Sequence, residues 1–317
     1  MRAEVRRRDL LSVPAASLAL AACSRRRAAA VKPRVSIVRA AGYGQSLYEL
    51  MRHVLAEHKV EARGKRVVLK PNLVEFDSAT AINTHPLVVA AALEAFRALG
   101  AVDVRIAEGP GHRRPTLDLA EAAGYFDAIP RFEEIFTDLN LDEISRVKLE
   151  RPRSRLEALY LPRTVLDADL LVSLPKMKTH HWVGATLGMK NLFGVVPGGV
   201  YGWPKNVLHW AGIDESIADL HRLFPRVFTI VDGIVGMEGN GPIQGKPKAA
   251  GVLVAGADPV AVDATCCRIM RLNPARVRYL ELAGGRLKEE DIEQAGESIR
   301  SVATPFELIR EFAPWRL

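Results

Sequence analysis

Cysteine is scarce in this chain of 317 residues, which contains three, and no CxxC spacing occurs. The chain therefore has no ligand set for an iron–sulfur cluster of its own. Cys266 and Cys267 are neighbours, and a disulfide between adjacent residues would close a strained ring. Because Asp258 and Pro259 precede them as N-cap and first-turn residues, we expect both cysteines to be buried thiols on a helix.

Other signatures of function are also missing. No GxSxG sequence is present, so the chain offers no nucleophile elbow. The glycine-rich stretch GNGPIQG, residues 239–245, is not followed by an amphipathic helix, which argues against a dinucleotide-binding loop. The net charge is +7, and residues 1–22 contribute four arginines against two acids, so +5 remains (7 − 2). This excess is spread out, without a basic stripe interleaved with aromatics, and a nucleic-acid partner is not predicted.

The first residues lack an apolar run long enough to span a bilayer, yet they resemble an export signal. RRRDLL, residues 6–11, resembles a twin-arginine motif, and LAAC, residues 20–23, resembles a lipobox. We interpret 1–22 as an export signal peptide and 23–33 as a tether. Lipid on Cys23 would anchor the protein to a membrane at the periplasmic or cell-envelope face. The alternative is an Ala/Arg-rich tail with a chance cysteine.

Beyond this tail, strand-like and helix-like segments alternate, which predicts an α/β fold. We expect a single domain over 34–317 with a mostly parallel sheet and helices on both faces, in a Rossmann-like three-layer arrangement. The charged stretch at about 142–163 is compatible with an inserted hairpin, and EEIFTDLN, residues 133–140, reads as a strand. A ligand crevice is expected at the carboxyl ends of the strands.

Polar residues cluster where the predicted strands end, and this coincidence locates the candidate site. Lysines beside helix starts favour an anionic ligand such as a carboxylate or phosphate. The candidate residues for binding an anionic small molecule or cofactor are Lys70, Asn72, Lys176, Lys190, Asn191, Asp232, Glu238 and Asn240. The candidates for a titratable catalytic group are Lys178, His180 and His181.

Each of these residues also has a purely structural explanation. Lys70 and Lys190 could pair with carboxylates, and Asp258 could serve only as an N-cap. His180 and His181 are adjacent and lack the helical spacing of a zinc site, so no metal is predicted. The glycine- and aromatic-rich segment 194–214 reads as a lid, with Tyr201, Trp203 and Trp210 available to stack on a flat ligand.

Several of these stretches together resemble the family called domain of unknown function 362, over roughly Val35 to Leu282. They are VVLKPNLV, THPLVVAAALEAFRALGA, LPKMKTHHWVGATLGMKNLFG, VDGIVGMEGNGP and GADPVAVDATCCRIM, and the KMKTH and MKNLFG elements are the most specific. Members are often fused to ferredoxin-type modules, which implies redox chemistry for some of them. Because this chain has no cluster cysteines, such a role would need another cofactor or a separate electron-transfer partner.

These observations give two expectations for function. The first is an exported, membrane-tethered protein that binds an anionic small molecule or cofactor and acts as a redox-linked enzyme. The second is a lipoprotein that binds or senses a small molecule without turning it over, since no unmistakable nucleophile or acid–base pair is present. The cofactor is not identified by the sequence.

Overall fold

The computed structural model describes residues 31–284 and 287–317. The predicted signal peptide, Cys23 and most of the predicted tether lie outside the described residues. The strands are β1 (Arg34–Arg39), β2 (Arg66–Pro71), β3 (Asp103–Glu108), β4 (Phe136–Asp138), β5 (Ile144–Lys148), β6 (Ala158–Pro162), β7 (Leu170–Leu174), β8 (Lys176–His180), β9 (Gly184–Thr186), β10 (Val227–Asn240), β11 (Gln244–Gly256) and β12 (Glu293–Gly296).

The α-helices are α1 (Ser46–Glu57), α2 (Pro86–Ala98), α3 (Thr116–Ala122), α4 (Tyr125–Ala128), α5 (Phe132–Ile135), α6 (Arg163–Leu166), α7 (Gly188–Asn191), α8 (Gly198–Tyr201), α9 (Asn206–Trp210), α10 (Ile213–Leu223), α11 (Pro259–Ile269), α12 (Arg278–Leu282) and α13 (Ile299–Val302). Short 3-10 helices lie at Leu192–Val195, Pro274–Arg276, Glu289–Asp291 and Arg310–Trp315. Within the described ranges, no helix is both long and apolar enough to cross a membrane.

The main sheet has the strand order β12-β1-β11-β10-β7-β2-β3-β4. In the order β10-β7-β2-β3-β4, each strand runs parallel to the next. Strand β11 is antiparallel to both β10 and β1. Strand β8 pairs with β10 in parallel and with β9 antiparallel. The fold is therefore α/β with a mostly parallel, mixed sheet, as the alternation of segments predicts.

Helices cover both faces of the sheet, because the strand bodies are apolar on both sides. Val67 and Leu69 of β2 pack into one core cluster with α1 and α2, while Val68 between them packs into the other with α10 and α11. This alternation follows from the two-residue period of a strand. The result is the three-layer arrangement expected from the sequence.

Polar residues cap the N-termini of two helices, α11 and α2. The Asp258 carboxylate accepts hydrogen bonds from the backbone N–H groups of Val260 and Ala261, so this residue is an N-cap of α11. The His85 ring accepts the N–H of Leu87 at the start of α2. Cys266 and Cys267 are free and fully buried on α11, as expected.

Three segments differ from the sequence-based expectations or extend them. Residues 133–135 lie in α5 rather than in a strand, and only Phe136–Asp138 is extended. The polar run after β7 is itself the strand β8, and β10 continues past Asp232 to Asn240 without ending. Strands β5 and β6, within the charged stretch 142–163, form a separate two-stranded antiparallel sheet.

Candidate functional site

A cavity of about 960 Å³ lies where β2 and β3 end. Residues 72–74 after β2 and 108–112 at the end of β3 form one wall, and the turn between β10 and β11 forms another. Strands β8 and β9, helix α7 and residues 309–311 complete the lining. This position, at the carboxyl ends of parallel strands, is the usual place for a ligand in an α/β sheet.

The cavity brings together seven of the eleven residues named from the sequence. These are Asn72, Lys178, His180, His181, Lys190, Asn191 and Asn240. The other four, Lys70, Lys176, Asp232 and Glu238, are not among the lining residues, and each has a partner within the protein.

Lys70 and Lys176, the paired lysines, are each held by a buried carboxylate. The Lys70 ammonium lies 2.5 Å from Glu108 Oε2 and also donates to the Pro71 carbonyl. The Lys176 ammonium lies 2.6 Å from Asp232 Oδ2. Burial lowers the pKa of both lysines, and the adjacent carboxylate opposes that shift. Lys70 therefore forms an ion pair with a carboxylate, which is the structural explanation given above for this residue. Lys176 also forms such a pair.

Asp232 and Glu238 also act within the protein. Asp232 accepts hydrogen bonds from the Tyr43 hydroxyl and from the His85 backbone N–H, in addition to Lys176. Glu238 lies 3.1 Å from Lys248 and accepts the backbone N–H of Glu307. Their oxygens are therefore already engaged by protein donors.

Lys178, Lys190 and Lys205, the cavity lysines, have no carboxylate within ion-pairing distance in the described residues. Lys178 donates to the carbonyls of Ile82 and Pro242, at 2.9 and 3.2 Å. Burial, reinforced by Lys190, lowers the pKa of Lys178 well below its usual value. These contacts satisfy the hydrogen atoms of the ammonium group but supply no counter-charge.

Lys205 and Lys190 complete this cationic group. Lys205 is buried and donates to the carbonyls of Gly109 and Phe193, and burial lowers its pKa to about 7. Lys190 is half-buried, and its ammonium lies 3.9 Å from the centre of the Phe193 ring. Burial and then the charge of Lys70 lower the pKa of Lys190 to about 7. The cavity therefore combines positive charge with amines that are readily deprotonated near neutral pH.

The histidines of the cavity present complementary nitrogen atoms. His180 Nδ1 accepts the backbone N–H of Trp182, so in the neutral ring the proton is on Nε2. His181 Nδ1 donates to the Gly241 carbonyl at 2.7 Å, which leaves Nε2 as an acceptor. Burial, followed by Lys190, lowers the pKa of His180 well below its usual value. The neutral His180 ring can therefore donate a hydrogen bond through Nε2, and His181 Nε2 can accept one.

Several polar atoms around the cavity lack a hydrogen-bond partner. Asn72 Oδ1, Thr186 Oγ1 and His209 Nδ1 are buried and unsatisfied. Burial and then the charge of Lys190 lower the pKa of His209 to about 4, so this ring is neutral near pH 7. A buried polar atom without a partner costs about 1–3 kcal/mol. Three such atoms around one cavity are typical of a site that a ligand or water completes.

Helix α7, which carries Lys190, is held in place by hydrogen bonds to Asp263 of α11. The Asp263 carboxylate accepts the backbone N–H groups of Gly188 and Met189, at 2.7 and 3.0 Å. A Cβ atom at Gly188 would lie 2.7 Å from Thr229 and 2.9 Å from Asp263, so only glycine permits this approach. Lys190 therefore lies on a helical turn whose position is fixed by contacts with Asp263 and Thr229.

The predicted lid does not place its three aromatic residues in the cavity. Tyr201 is buried and its hydroxyl accepts the backbone N–H of Tyr160, whereas the Trp203 ring packs over Gly198. Trp210 is 72% exposed. The stacking prediction is therefore wrong for these side chains. The aromatic rings that line the cavity are Trp182 and Phe193.

Sequence reasoning did not name most of the lining, and four of the polar or aromatic residues that it missed are Thr186, Trp182, Lys205 and His209. Lys205 and His209 lie in the segment 194–214, for which only the aromatic residues were predicted to contact a ligand. The available signal was a lysine and a histidine within a glycine-rich segment of low periodicity, next to the strand-end site.

The family model of the domain of unknown function named DUF362 matches residues 67–268, which is more than half of the chain. The chain belongs to the DUF362 family. The matched range contains the paired lysines, the cavity lysines and His180, His181 and His209. The cavity is therefore formed largely by the DUF362 region.

One curated relative is a thylakoid-associated protein of Synechocystis sp., 31% identical over 223 residues. The match covers 68% of this chain and 65% of that protein, so it spans just under two thirds of the relative. Among solved structures, the lactate racemase apoprotein of Thermoanaerobacterium thermosaccharolyticum is 14% identical with a TM-score of 0.48, covering 76% of this chain and 57% of that chain. A Thermotoga maritima protein is 17% identical with a TM-score of 0.44, covering 76% and 58%.

Proposed function

We propose that this DUF362 protein binds a small anionic molecule in the strand-end cavity. The observation that carries the proposal is the group of cavity lysines, which converge on one space without a carboxylate partner. A buried ammonium group without a counter-charge is unfavourable, so a carboxylate or phosphate in the cavity would stabilise all three lysines together. Glu108 and Glu311 also line the cavity. Lys70 already neutralises Glu108, and neither carboxylate is in an ion pair with a cavity lysine among the described residues.

The rest of the lining supports a ligand with both polar and apolar parts. Asn72 and Thr186 line the cavity and add polar side chains that suit a hydroxyl or amide of the ligand. Leu73, Phe193 and Ile243 provide apolar surface for a hydrocarbon or ring. The volume falls within the range of about 300–1,000 Å³ typical of small-molecule sites.

An enzymatic role is supported by the titratable groups that surround this space. A neutral His180, an acceptor nitrogen on His181 and lysines with pKa values near 7 provide both acids and bases at neutral pH. Redox chemistry would require a cofactor in the cavity or a separate electron-transfer partner. The alternative is a binding or sensing protein that uses the same charges without turnover.

The membrane location is a further part of the proposal. The twin-arginine-like and lipobox-like sequences favour export and attachment through lipid on Cys23. The relative described as thylakoid-associated is consistent with a protein that works at a membrane. In the native host, Cys23→Ala should leave the precursor uncleaved and without lipid. Full-length wild-type protein found free of membranes would contradict this part of the proposal.

Calorimetric titration with benzoate, phenyl phosphate and inorganic phosphate tests anion binding. Lys190→Met keeps the aliphatic stem and removes the accessible charge, so we expect a loss of about 10–100-fold in affinity, the equivalent of one charge-assisted hydrogen bond. Lys246→Met, at an exposed lysine remote from the cavity lining, is the matched control and should bind as wild type does. Equal affinity of the wild type and Lys190→Met, or no binding of any of the three anions, would refute the proposal.

A further inference from the structure

The geometry points to Lys190 as a nucleophilic amine that forms an imine with an aldehyde or ketone carrying an anionic group. This inference rests on the proposed function, since the cavity lysines would attract the anionic group of the substrate. It adds the chemical class of that substrate and a covalent step at one named atom.

The first observation is the contrast in hydrogen bonding among the cavity lysines. Lys178 and Lys205 each donate to two backbone carbonyls, so either amine would have to break these bonds to attack a carbonyl carbon. Lys190 Nζ has no hydrogen-bond or ion-pair partner within residues 31–284 and 287–317. Its side chain is half-buried and lines the cavity, so the amine is accessible to a ligand there.

The second observation is the electrostatic setting of this amine. Burial and then the charge of Lys70 lower the pKa of Lys190, and the charge of Lys190 in turn adds to the effect of burial on Lys178. Asp214 opposes the shift at Lys190, and the Phe193 ring lies against the amine. Burial next to other cations is the environment that activates a lysine as a nucleophile. A large part of the Lys190 population would be the free amine near pH 7.

The third observation is the supply of groups for proton transfer. His180 and His209 lie close enough for the charge of Lys190 to lower the pKa of each, and both line the cavity. A neutral imidazole at this place can take the proton that the attacking amine loses and return it to the leaving oxygen.

The reaction balances without an added oxidant or reductant. The lone pair of Lys190 Nζ attacks the carbonyl carbon and forms a carbinolamine. One proton passes from nitrogen to oxygen. A second proton, from another cavity lysine in its ammonium form or from solvent, then reaches the hydroxyl, the carbon–oxygen bond breaks, and water leaves as the protonated imine forms. Positive charge on the protonated imine then lies next to the anionic group of the substrate.

Reductive trapping in the full-length protein tests this step. The probes are para-carboxybenzaldehyde and para-tolualdehyde, which have the same ring and aldehyde but differ in charge. Sodium cyanoborohydride supplies the hydride that converts an imine to a stable secondary amine, and peptide mass spectrometry locates the adduct. We expect Lys190 to be trapped by the carboxylated probe at least about 10-fold faster than exposed Lys246, because an ordinary lysine with a pKa of about 10.4 is almost fully protonated near pH 7.

The outcomes separate this inference from the proposed function. Benzoate binding in calorimetry without an adduct at Lys190 would refute the imine and leave anion binding intact. Equal trapping of Lys190 by both aldehydes would refute the preference for an anionic substrate and, with it, the proposed function. Labelling spread evenly over the lysines would refute a special reactivity of Lys190. Benzoate should slow trapping at Lys190 and not at Lys246, and Lys190→Met should remove the adduct.

Discussion

Lys176 and Lys178 lie two residues apart on β8, both fully buried, yet they have opposite electrostatic surroundings. Lys176 is opposite Asp232 in the pairing of β8 with β10, and its ammonium contacts that carboxylate. Lys178 is opposite Met237, because the register shifts between the two pairs, and it reaches only carbonyl oxygens. One lysine is therefore neutralised by an ion pair, and the other lines the cavity without a carboxylate partner among the described residues.

The same contrast separates the two groups of lysines as a whole. The paired lysines hold strands together beneath the cavity, where each bridges two elements of the sheet. The cavity lysines come from β8, α7 and the segment before α9, and none of them forms an ion pair with a carboxylate among the described residues. Burial alone therefore does not identify a functional lysine. What distinguishes one is the absence of a counter-charge within the protein.

The largest expected effect is the loss of a paired lysine. Lys176→Met leaves Asp232 buried without its cation, and we expect a loss of about 3–5 kcal/mol in the free energy of unfolding. Urea unfolding followed by circular dichroism measures this. The double variant Lys176→Met with Asp232→Asn should recover part of the loss. A destabilisation below about 1 kcal/mol would show that Lys176 is not a structural ion pair.

Lys178→Met should cost less than Lys176→Met, although the two side chains are equally buried. No carboxylate is left unpaired, and the cost is that of two carbonyls, of Ile82 and Pro242, which lose a donor. We expect about 1–3 kcal/mol in the same urea experiment. Equal destabilisation of the two variants would remove the distinction between paired and cavity lysines.

The pH dependence of stability sharpens the comparison further. The folded-state pKa of Lys190 is about 7, below the value of about 10.4 for an unfolded chain, so the unfolded state binds more protons between these values. This lysine therefore makes stability rise with pH from about 7 to 10, by at most about 1.4 kcal/mol per pH unit. Lys190→Met should show a smaller rise between pH 7 and pH 9 in urea titrations. Parallel curves for the two proteins would contradict the lowered pKa.

The smallest effect is expected at Glu238, which the sequence places in the site and the structure places in a pair with Lys248 near the surface. Glu238→Gln should change stability by less than about 1 kcal/mol, because such pairs contribute little. Its affinity for benzoate should equal that of the wild type, since Glu238 does not line the cavity. A tenfold change in benzoate affinity would show that Glu238 contributes to the binding site.

Much of the fold and the location of the site could be predicted from the sequence. Apolar strand bodies that end in polar residues, such as Val67–Leu69 before Lys70, indicate both a strand and the edge at which it ends. The partner of each polar residue could not be predicted, because it depends on register between distant segments. The register shift between Asp232 and Met237 in the pairing of β10 with β8 decides that Lys176 meets an acid and Lys178 does not.

Two other features depend on three-dimensional contacts that no local pattern encodes. Lys205 enters the cavity because its segment folds back to the carbonyls of Gly109 and Phe193. The aromatic residues of that segment, which looked functional from composition, instead pack within it or face solvent, as Tyr201 and Trp210 show. Residue type alone did not show which of these side chains line the cavity, because packing sets the direction of each one.

The pair of long strands β10 and β11 has a consequence for the shape of the cavity. These strands cross the core and continue to the turn at 240–244, whose residues form a wall of the cavity. Strand β8 fastens this turn, because the Thr179 hydroxyl donates to the Gly239 carbonyl and the His181 backbone N–H donates to the Gly241 carbonyl. That wall is therefore ordered by folding itself, and a ligand would meet a preformed surface on this side with little further loss of conformational entropy.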